Sequence, residues 1–217
     1  MKNKLLKVMN MRLFCVSIFA LLALAAPAGA LDHDLGMQVL AEINLARTKP
    51  RAYAGFIREF RSQFRGKYYV LPGSSTRVQT SEGGAAVDEA VTFLSRLKPL
   101  PPLSWSEGLA AAAAELAEEQ GRSGATGHNG RQSHGMQERV ERHGEWEGRI
   151  GENIGYGPEG PRNIVMQLIV DDGVPGRGHR INTFSTSYKT AGVVCGAHPR
   201  FGSMCVVDFA GGFRASR

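Results

Sequence analysis

Four side chains in this sequence stand out because their types could bind a metal ion or transfer protons. His128 and His179 each lie beside a glycine, which lets the backbone turn sharply and leaves the imidazole accessible. Glu152 also follows a glycine, and Asp172 precedes one. Together they offer two nitrogen and two oxygen donors, which suits a divalent ion such as zinc, bound directly or through water. We therefore predict a metal site formed by His128, Glu152, Asp172 and His179.

The same residues also admit explanations that need no metal. General acid–base catalysis could use Glu152 and His179 as its catalytic residues. Structural roles are open too: Glu152 could accept backbone hydrogen bonds at a strand end, and Asp172 could end a helix. Asp171 competes with Asp172 for any role in the site, and either could pair with His179. Asn153, next to Glu152, is predicted to stabilise a turn.

The first 30 residues have the pattern of a secretory signal peptide. A basic start precedes an uncharged apolar run over residues 13–26, and Ala28-Gly29-Ala30 fits a cleavage site. The rival interpretation is a membrane anchor, but the run is shorter than the roughly 20 residues that a spanning helix needs. We therefore expect a secreted or periplasmic protein in which residues 31–217 form a single domain.

The formal charge of +6 depends largely on this N-terminal segment. Residues 1–30 hold four basic and no acidic side chains, so the remainder of the chain has a formal charge of +2. Nucleic-acid binding would need a clustered basic face. The charge therefore gives no support to a nucleic-acid partner, and it indicates no other partner.

Apolar residues at helical spacing predict the elements that must position these side chains. A first helix covers residues 39–46, Pro50 begins a second, and further helices cover 87–94 and 164–169. An alanine-rich helix follows Ser104 and Glu107, whose spacing is that of a capping box with Ser104 as N-cap. Residues 61–85 are rich in turn residues and are predicted to form an exposed excursion.

Valine-rich segments bounded by glycine predict two paired strands, Ala191–Cys195 and Met204–Ala210. A strand leading into Glu152 is also expected. In an oxidising compartment, Cys195 and Cys205 could face each other across the paired strands and form a disulfide. The alternative is two reduced, buried cysteines. The pattern as a whole predicts an α/β chain with helices on both sides of a small sheet.

The box Gly151-Glu152-Asn153-Ile154 resembles the Gly-Glu-Asn-Ile/Leu box of the CAP superfamily, which comprises the cysteine-rich secretory proteins, antigen 5 and the pathogenesis-related 1 proteins. With two cysteines after the export signal, the chain is similar to the simpler bacterial secreted branch. Other stretches match the family in the same order over most of residues 36–213: Ile43-Asn44 to Arg47, Pro50 to Tyr53-Ala54, Leu103-Ser104-Trp105, Gly127-His128-Asn129-Gly130 with Arg139 eleven residues on, and Gly178-His179-Arg180-Ile181-Asn182.

The resemblance implies a three-layer α-β-α sandwich whose central cleft is lined by two histidines and two acidic residues. His128 and His179 match the two histidines, and Glu152 matches the glutamate of the box. Asp172 matches the second acidic position when the aspartates after Val170 are aligned with the family's Val-Asp-Glu. Here an aspartate replaces the usual glutamate.

Three functions follow as hypotheses. The first is a secreted CAP-domain protein whose cleft binds a divalent metal, with zinc as the expected ion and no defined activity. The second is a binding module for lipid, sterol, a cell-envelope component or another partner, since sterol and fatty-acid binding occur in the family that this chain resembles. The third is a metal-dependent hydrolase acting on an extracellular peptide or polymer. In the second hypothesis, a group of aromatic side chains would contact the lipid or partner. The same side chains could equally be core residues and loop anchors. They are Phe56, Phe60, Phe64, Tyr68 and Tyr69.

Overall fold

The computed structural model of the protein describes residues 31–70, 77–157 and 159–216. The predicted export signal lies outside these described residues. No helix within the described ranges is both long and apolar enough to cross a membrane. The helices are α1 (His33–Thr48), α2 (Pro50–Arg61), α3 (Gly84–Arg96), α4 (Glu107–Ser123), α5 (Met136–His143), α6 (Pro161–Val170) and α7 (Gly178–Thr183), with a 3₁₀ turn at Pro175–Arg177.

The described strands form two sheets. The larger sheet has the order β4-β6-β7-β5, in which β4 runs parallel to β6 and the other neighbours are antiparallel. The smaller sheet is an antiparallel set of three short strands, β1-β2-β3. The strands are β1 (Phe64–Arg65), β2 (Tyr68–Val70), β3 (Arg77–Gln79), β4 (Ser104–Trp105), β5 (Gly144–Tyr156), β6 (Thr190–His198) and β7 (Gly202–Ala215).

Alternate residues of β7 belong to different apolar clusters, because successive side chains of a strand point to opposite faces. Cys205, Val207 and Phe209 pack with α1, α2, α3 and α6. Met204 and Val206 pack with the alanines of α4 on the other face. The larger sheet therefore lies between two helical layers, which confirms the predicted α-β-α sandwich.

Small residues let helices approach both faces of the sheet closely. A Cβ atom at Gly192 of β6 would lie 2.0 Å from the backbone nitrogen of Ala110 in α4. A Cβ atom at Gly36 of α1 would lie 2.2 Å from the carbonyl oxygen of Val193. Neither distance is sterically possible, so glycine is required where each helix meets the sheet. The alanine-rich composition of α4 has the same effect along its length.

The strand and cysteine predictions are confirmed. The two valine-rich segments form the antiparallel pair β6 and β7, and Cys195 lies directly opposite Cys205. A disulfide joins them. It links the two central strands of the larger sheet.

Two local predictions need correction. Ser106, not Ser104, is the N-cap of α4, and its side chain accepts a hydrogen bond from the backbone N–H of Leu109. Ser104 instead pairs with β6 as part of β4, so tertiary strand pairing overrides the local capping pattern. Residues 61–85 are more than an exposed excursion, because they carry the smaller sheet, and Phe64 within it is buried.

Candidate functional site: a cleft between two histidine–carboxylate pairs

A cleft of about 880 Å³ lies around the C-terminal end of β5, which is the edge strand of the larger sheet. His128, from the segment between α4 and α5, and His179, from α7, both line it. Each histidine comes from a different helical layer. The cleft therefore exists only because the sandwich brings the ends of the two layers together beside one strand.

His128 is paired with Glu152 of β5. The ring Nδ1 lies 2.7 Å from Glu152 Oε1, and the ring itself is 56% exposed. The hydrogen bond to this carboxylate raises the pKa of His128, since it favours the charged imidazolium over the neutral ring. The other oxygen of Glu152 accepts from the guanidinium of Arg139, which is fully buried.

Arg139 also connects this pair to the loop that carries it. Its Nη1 donates to the backbone carbonyl oxygens of His128 at 3.2 Å and His134 at 2.8 Å. Behind the pair, Asp208 of β7 lies opposite Glu152 in the strand register and is fully buried. Burial, followed by the negative charge of Glu152, holds the pKa of Asp208 well above its usual range. This environment favours the neutral, protonated form of Asp208.

His179 is paired with Asp171 rather than with Asp172. Its Nδ1 lies 2.7 Å from Asp171 Oδ1, and its ring is 23% exposed. Asp171 Oδ2 accepts from the backbone N–H groups of His179 at 2.9 Å and Arg180 at 3.3 Å. Asp171 ends α6 in the left-handed conformation, with φ of 56°, which aspartate tolerates better than most residues. The end of α6 and the start of α7 are thus joined by this one carboxylate.

Asp172 has a different position. Its two oxygens accept from the backbone N–H groups of Ser81 at 2.6 Å and Glu82 at 2.8 Å. Glu82 in turn accepts from the N–H of Gly173 at 2.7 Å and pairs with Arg177, which lowers the pKa of Glu82 to about 2. Asp172 lines the cleft, but its contacts attach the segment after the smaller sheet to the loop before α7. Of the two aspartates that could pair with His179, Asp171 is therefore the one in contact with it.

Asn153 supports the same half of the site, and the turn predicted for it is wrong. It lies within β5 and is fully buried. Its Nδ2 donates to the carbonyl oxygen of His179 at 3.0 Å and to the hydroxyl of Thr183 at 3.2 Å, while its Oδ1 accepts from Asn182 at 3.0 Å. Glu152 and Asn153, adjacent in β5, thus support different histidines from opposite faces of the strand.

The two imidazoles and the two predicted carboxylates differ in how their nitrogen and oxygen atoms are already engaged. Among the described residues, no group of three or more His, Cys, Asp or Glu side chains is arranged to hold a metal ion. Both oxygens of Glu152 and Asp172 already accept hydrogen bonds. In contrast, the Nδ1 atom of each imidazole faces a carboxylate, which directs Nε2 away from that carboxylate. A histidine that binds a metal through one nitrogen usually has such a partner at the other.

The rest of the cleft is largely apolar. One wall comes from the segment that carries the smaller sheet and from the end of α2, where the rings of Phe60, Phe64 and Tyr69 lie in mutual contact with all three centroid distances at 5.0 Å. Met166 and Leu168 of α6 also line the cleft. The other aromatic residues singled out lie elsewhere: Arg162 stacks on Phe56, and Tyr68 is exposed beneath Arg77.

The fold and the site together define a class of protein, an α-β-α sandwich with a histidine-lined cleft at one edge of its sheet. The chain belongs to the CAP family: the model of the cysteine-rich secretory protein family matches residues 40–209. The resemblance found in the sequence is therefore confirmed. No curated protein is similar enough to this chain to count as a match.

Two solved structures resemble the chain at low identity. An extracellular protein containing an SCP domain from Bacillus anthracis str. Ames is 16% identical with a TM-score of 0.42, over 58% of this chain and 37% of that one. An outer surface protein from Borrelia burgdorferi is 18% identical with a TM-score of 0.42, over 50% of this chain and 76% of that one. The chain thus spans little more than a third of the first of these proteins.

Proposed function

We propose that this protein is an exported CAP-domain protein whose cleft binds a divalent cation, with zinc as the expected ion. Nε2 of His128 and Nε2 of His179 would hold the ion. The observation that carries the proposal is the carboxylate at Nδ1 of both rings, Glu152 in one case and Asp171 in the other. Such a partner fixes the ring orientation and makes the opposite nitrogen a better ligand.

Within this proposal the carboxylates orient the imidazoles and do not bind the ion. Bound zinc would supply a positive charge that polarises a ligand atom or a water molecule. The protein's own contribution is to keep Nδ1 of each ring protonated and to fix the two rings at the mouth of a cleft with apolar walls. Export is supported by the basic and apolar pattern of residues 1–30 and by the Cys195–Cys205 disulfide, since disulfides persist in oxidising compartments.

Isothermal titration of residues 31–217 with zinc tests this proposal. The wild type should bind one zinc ion, and the double variant His128→Ala, His179→Ala should bind none at that site. His33→Ala is a matched control, because His33 is an exposed histidine at the start of α1 and does not line the cleft. Equal binding by the wild type and the double variant would contradict the proposal.

A second candidate function is the binding of a lipid or another amphipathic cell-envelope component. Its specific support is the apolar wall of the cleft, in which the Phe60, Phe64 and Tyr69 rings face a cleft that also holds both imidazoles. Ligand sites commonly combine an apolar lining with a few polar groups. An apolar chain would lie against this wall, with a polar group towards the histidines.

Extraction of the purified protein followed by mass spectrometry tests for a co-purified lipid.

Titration with a fluorescent fatty acid extends the test to two variants of the smaller sheet. Val78→Asp places a charge in the lining of the cleft and should weaken binding. Val70→Asp adds the same charge to an exposed position on the neighbouring strand, outside the lining, and should bind as the wild type does. Absence of lipid, with equal titrations for both variants, contradicts this candidate.

The geometry gives the hydrolase hypothesis less support. A carboxylate that activates water must have an oxygen turned towards the substrate, but both oxygens of Glu152 already accept hydrogen bonds from His128 and Arg139. His179 is the remaining catalytic candidate. A panel of peptide, ester and cell-wall substrates decides the matter, with the His179→Ala variant as the comparison. Turnover that disappears in this variant would revive the hypothesis.

A further inference from the structure

The backbone next to His128 needs support of its own. His128 lies between α4 and α5 in a segment without helix or strand, and its ring is more than half exposed. The contact with Glu152 fixes the direction of Nδ1 but not the point from which the ring projects. A ligand group is held in place only when the residues around it also restrict its backbone and rotamer.

Three hydrogen bonds form a closed ring around Gly127, the residue before His128. The N–H of Gly127 donates to the hydroxyl of Tyr156 at 3.0 Å, and this hydroxyl donates to Gln120 Oε1 at 2.7 Å. Gln120 Nε2 completes the ring by donating to the carbonyl oxygen of Gly127 at 2.6 Å. Both backbone polar groups of Gly127 are therefore held by two side chains.

Both of these side chains are themselves well fixed. Gln120 is fully buried in the last turn of α4. Tyr156 is the last residue of β5, and its ring packs against the rings of His198 and Phe201 with centroid distances of 5.3 Å. The hydroxyl of Tyr156 thus projects from a supported ring to a defined point under the loop.

The same strand also holds the imidazole. Glu152 and Tyr156 are four residues apart in β5, so they project from the same face. One contacts the ring of His128, and the other contacts the backbone just before it. The backbone of His179 is held differently, by Asp171 and Asn153.

We infer that Tyr156, together with Gln120, is a positioning residue for His128. Its hydroxyl fixes the loop so that the imidazole meets Glu152 and presents Nε2 to the cleft. The inference rests on the proposed function where it concerns metal affinity, but not where it concerns the position of His128. The effect is specific to one half of the site, because none of these contacts involves α7.

The Tyr156→Phe variant removes one oxygen atom and retains the ring packing. Tyr188→Phe is the matched control, since it removes the hydroxyl of another buried tyrosine, one that contacts Ile150 and Asn182 rather than the loop before His128. In Tyr156→Phe, zinc affinity should fall about tenfold, at the low end of the effect of losing a partner of a metal-binding histidine. The amide of Gly127 should exchange faster, and the Nδ1–H signal of His128 in proton–nitrogen NMR spectra should broaden. The signal of His179 in Tyr156→Phe, and that of His128 in Tyr188→Phe, should match the wild type.

Unchanged exchange at Gly127 together with an unchanged His128 signal would overturn the inference. If the wild type binds no zinc, the proposed function fails, but the exchange and NMR measurements still decide the role of Tyr156. A second variant, Gln120→Glu, protects the test against a folding defect in the first. It preserves the side-chain shape, replaces the donor to the Gly127 carbonyl with an acceptor, and should give the same change at His128 and not at His179.

Discussion

The two histidine–carboxylate pairs reach the same cleft by different structural routes. His128 and Glu152 are 24 residues apart, and a buried guanidinium from α5, that of Arg139, joins them. His179 and Asp171 are only eight residues apart, and backbone N–H groups at the start of α7 take the place of the guanidinium. The first ring is 56% exposed and the second 23%.

Similar imidazole–carboxylate contacts can therefore have very different consequences for the fold. The first pair includes a buried charge whose loss leaves an opposite charge uncompensated inside the protein. The second depends on hydrogen bonds within one short turn, so its loss affects a local segment. We therefore expect substitutions around His128 to affect global stability, whereas those around His179 affect mainly the loop between α6 and α7.

The largest effect is expected for Arg139→Met. It removes the buried partner of Glu152 and should lower the free energy of unfolding by about 3–5 kcal/mol, as measured by urea denaturation. Arg142→Met is the matched control, three residues later on α5. Arg142 pairs with Glu115 at a more exposed position, where such pairs contribute about 0–1 kcal/mol. Equal losses of unfolding free energy in the two variants would show that the buried Arg139–Glu152 pair contributes no more to stability than the exposed Arg142–Glu115 pair.

A smaller effect is expected for Asp171→Asn. Asparagine tolerates the left-handed backbone of this position, so the change tests the acceptor and not the turn. Loss of one charged acceptor should lower the free energy of unfolding by about 1–3 kcal/mol and should broaden the Nδ1–H signal of His179 but not that of His128. Asp88→Asn, which changes an exposed carboxylate paired with Arg61, should have little effect on either measurement.

The pH dependence of stability should report on the His128–Glu152 pair. Because Glu152 raises the pKa of His128 in the folded protein, this pair stabilises the fold fully below the unfolded-state pKa of about 6.5. Its contribution is lost as the pH rises through the folded-state pKa. The difference in unfolding free energy between the wild type and His128→Ala, measured without metal, should therefore be largest at acidic pH and decrease towards alkaline pH. A difference that stays constant with pH would contradict this account.

The smallest effect is expected for Asp172→Asn. The substitution replaces one of the two acceptors for Ser81 and Glu82, and these hydrogen bonds lie at an exposed position. The free energy of unfolding should fall by only about 0.5–1.5 kcal/mol, and zinc affinity should not change. A loss of zinc affinity as large as that of His128→Ala would instead support Asp172 as a metal ligand, as the sequence predicts.

Glycine contexts and the family resemblance both marked His128, Glu152 and His179 in the sequence. Whether Asp171 or Asp172 pairs with His179 stayed open, because two adjacent aspartates have the same chemistry and only the end of α6 decides which one faces α7. The turn role of Asn153 was wrong for a related reason. A buried amide in an edge strand can hydrogen-bond to another element, and a local propensity rule does not include that element.

The sequence analysis assigned no role to three residues that support His128: Arg139, Gln120 and Tyr156. Arg139 matched the family pattern eleven residues after His128, so a signal for it was present. Gln120 and Tyr156 gave none, since a glutamine near a helix end and a tyrosine at a strand end are common in any fold. Their roles arise from hydrogen bonds that span 7 and 36 residues.

Apolar periodicity and strand patterning were enough to predict an α/β chain with paired cysteine strands, and the family motifs added the three-layer sandwich and the two histidines of the cleft. Only the tertiary structure decided which carboxylate supports each ring, which side chains hold the loop before His128, and that the smaller sheet forms an apolar wall of the cleft. The physical reason is distance. Periodicity acts within one element, whereas the hydrogen bonds and contacts of this site join side chains from different elements of the fold.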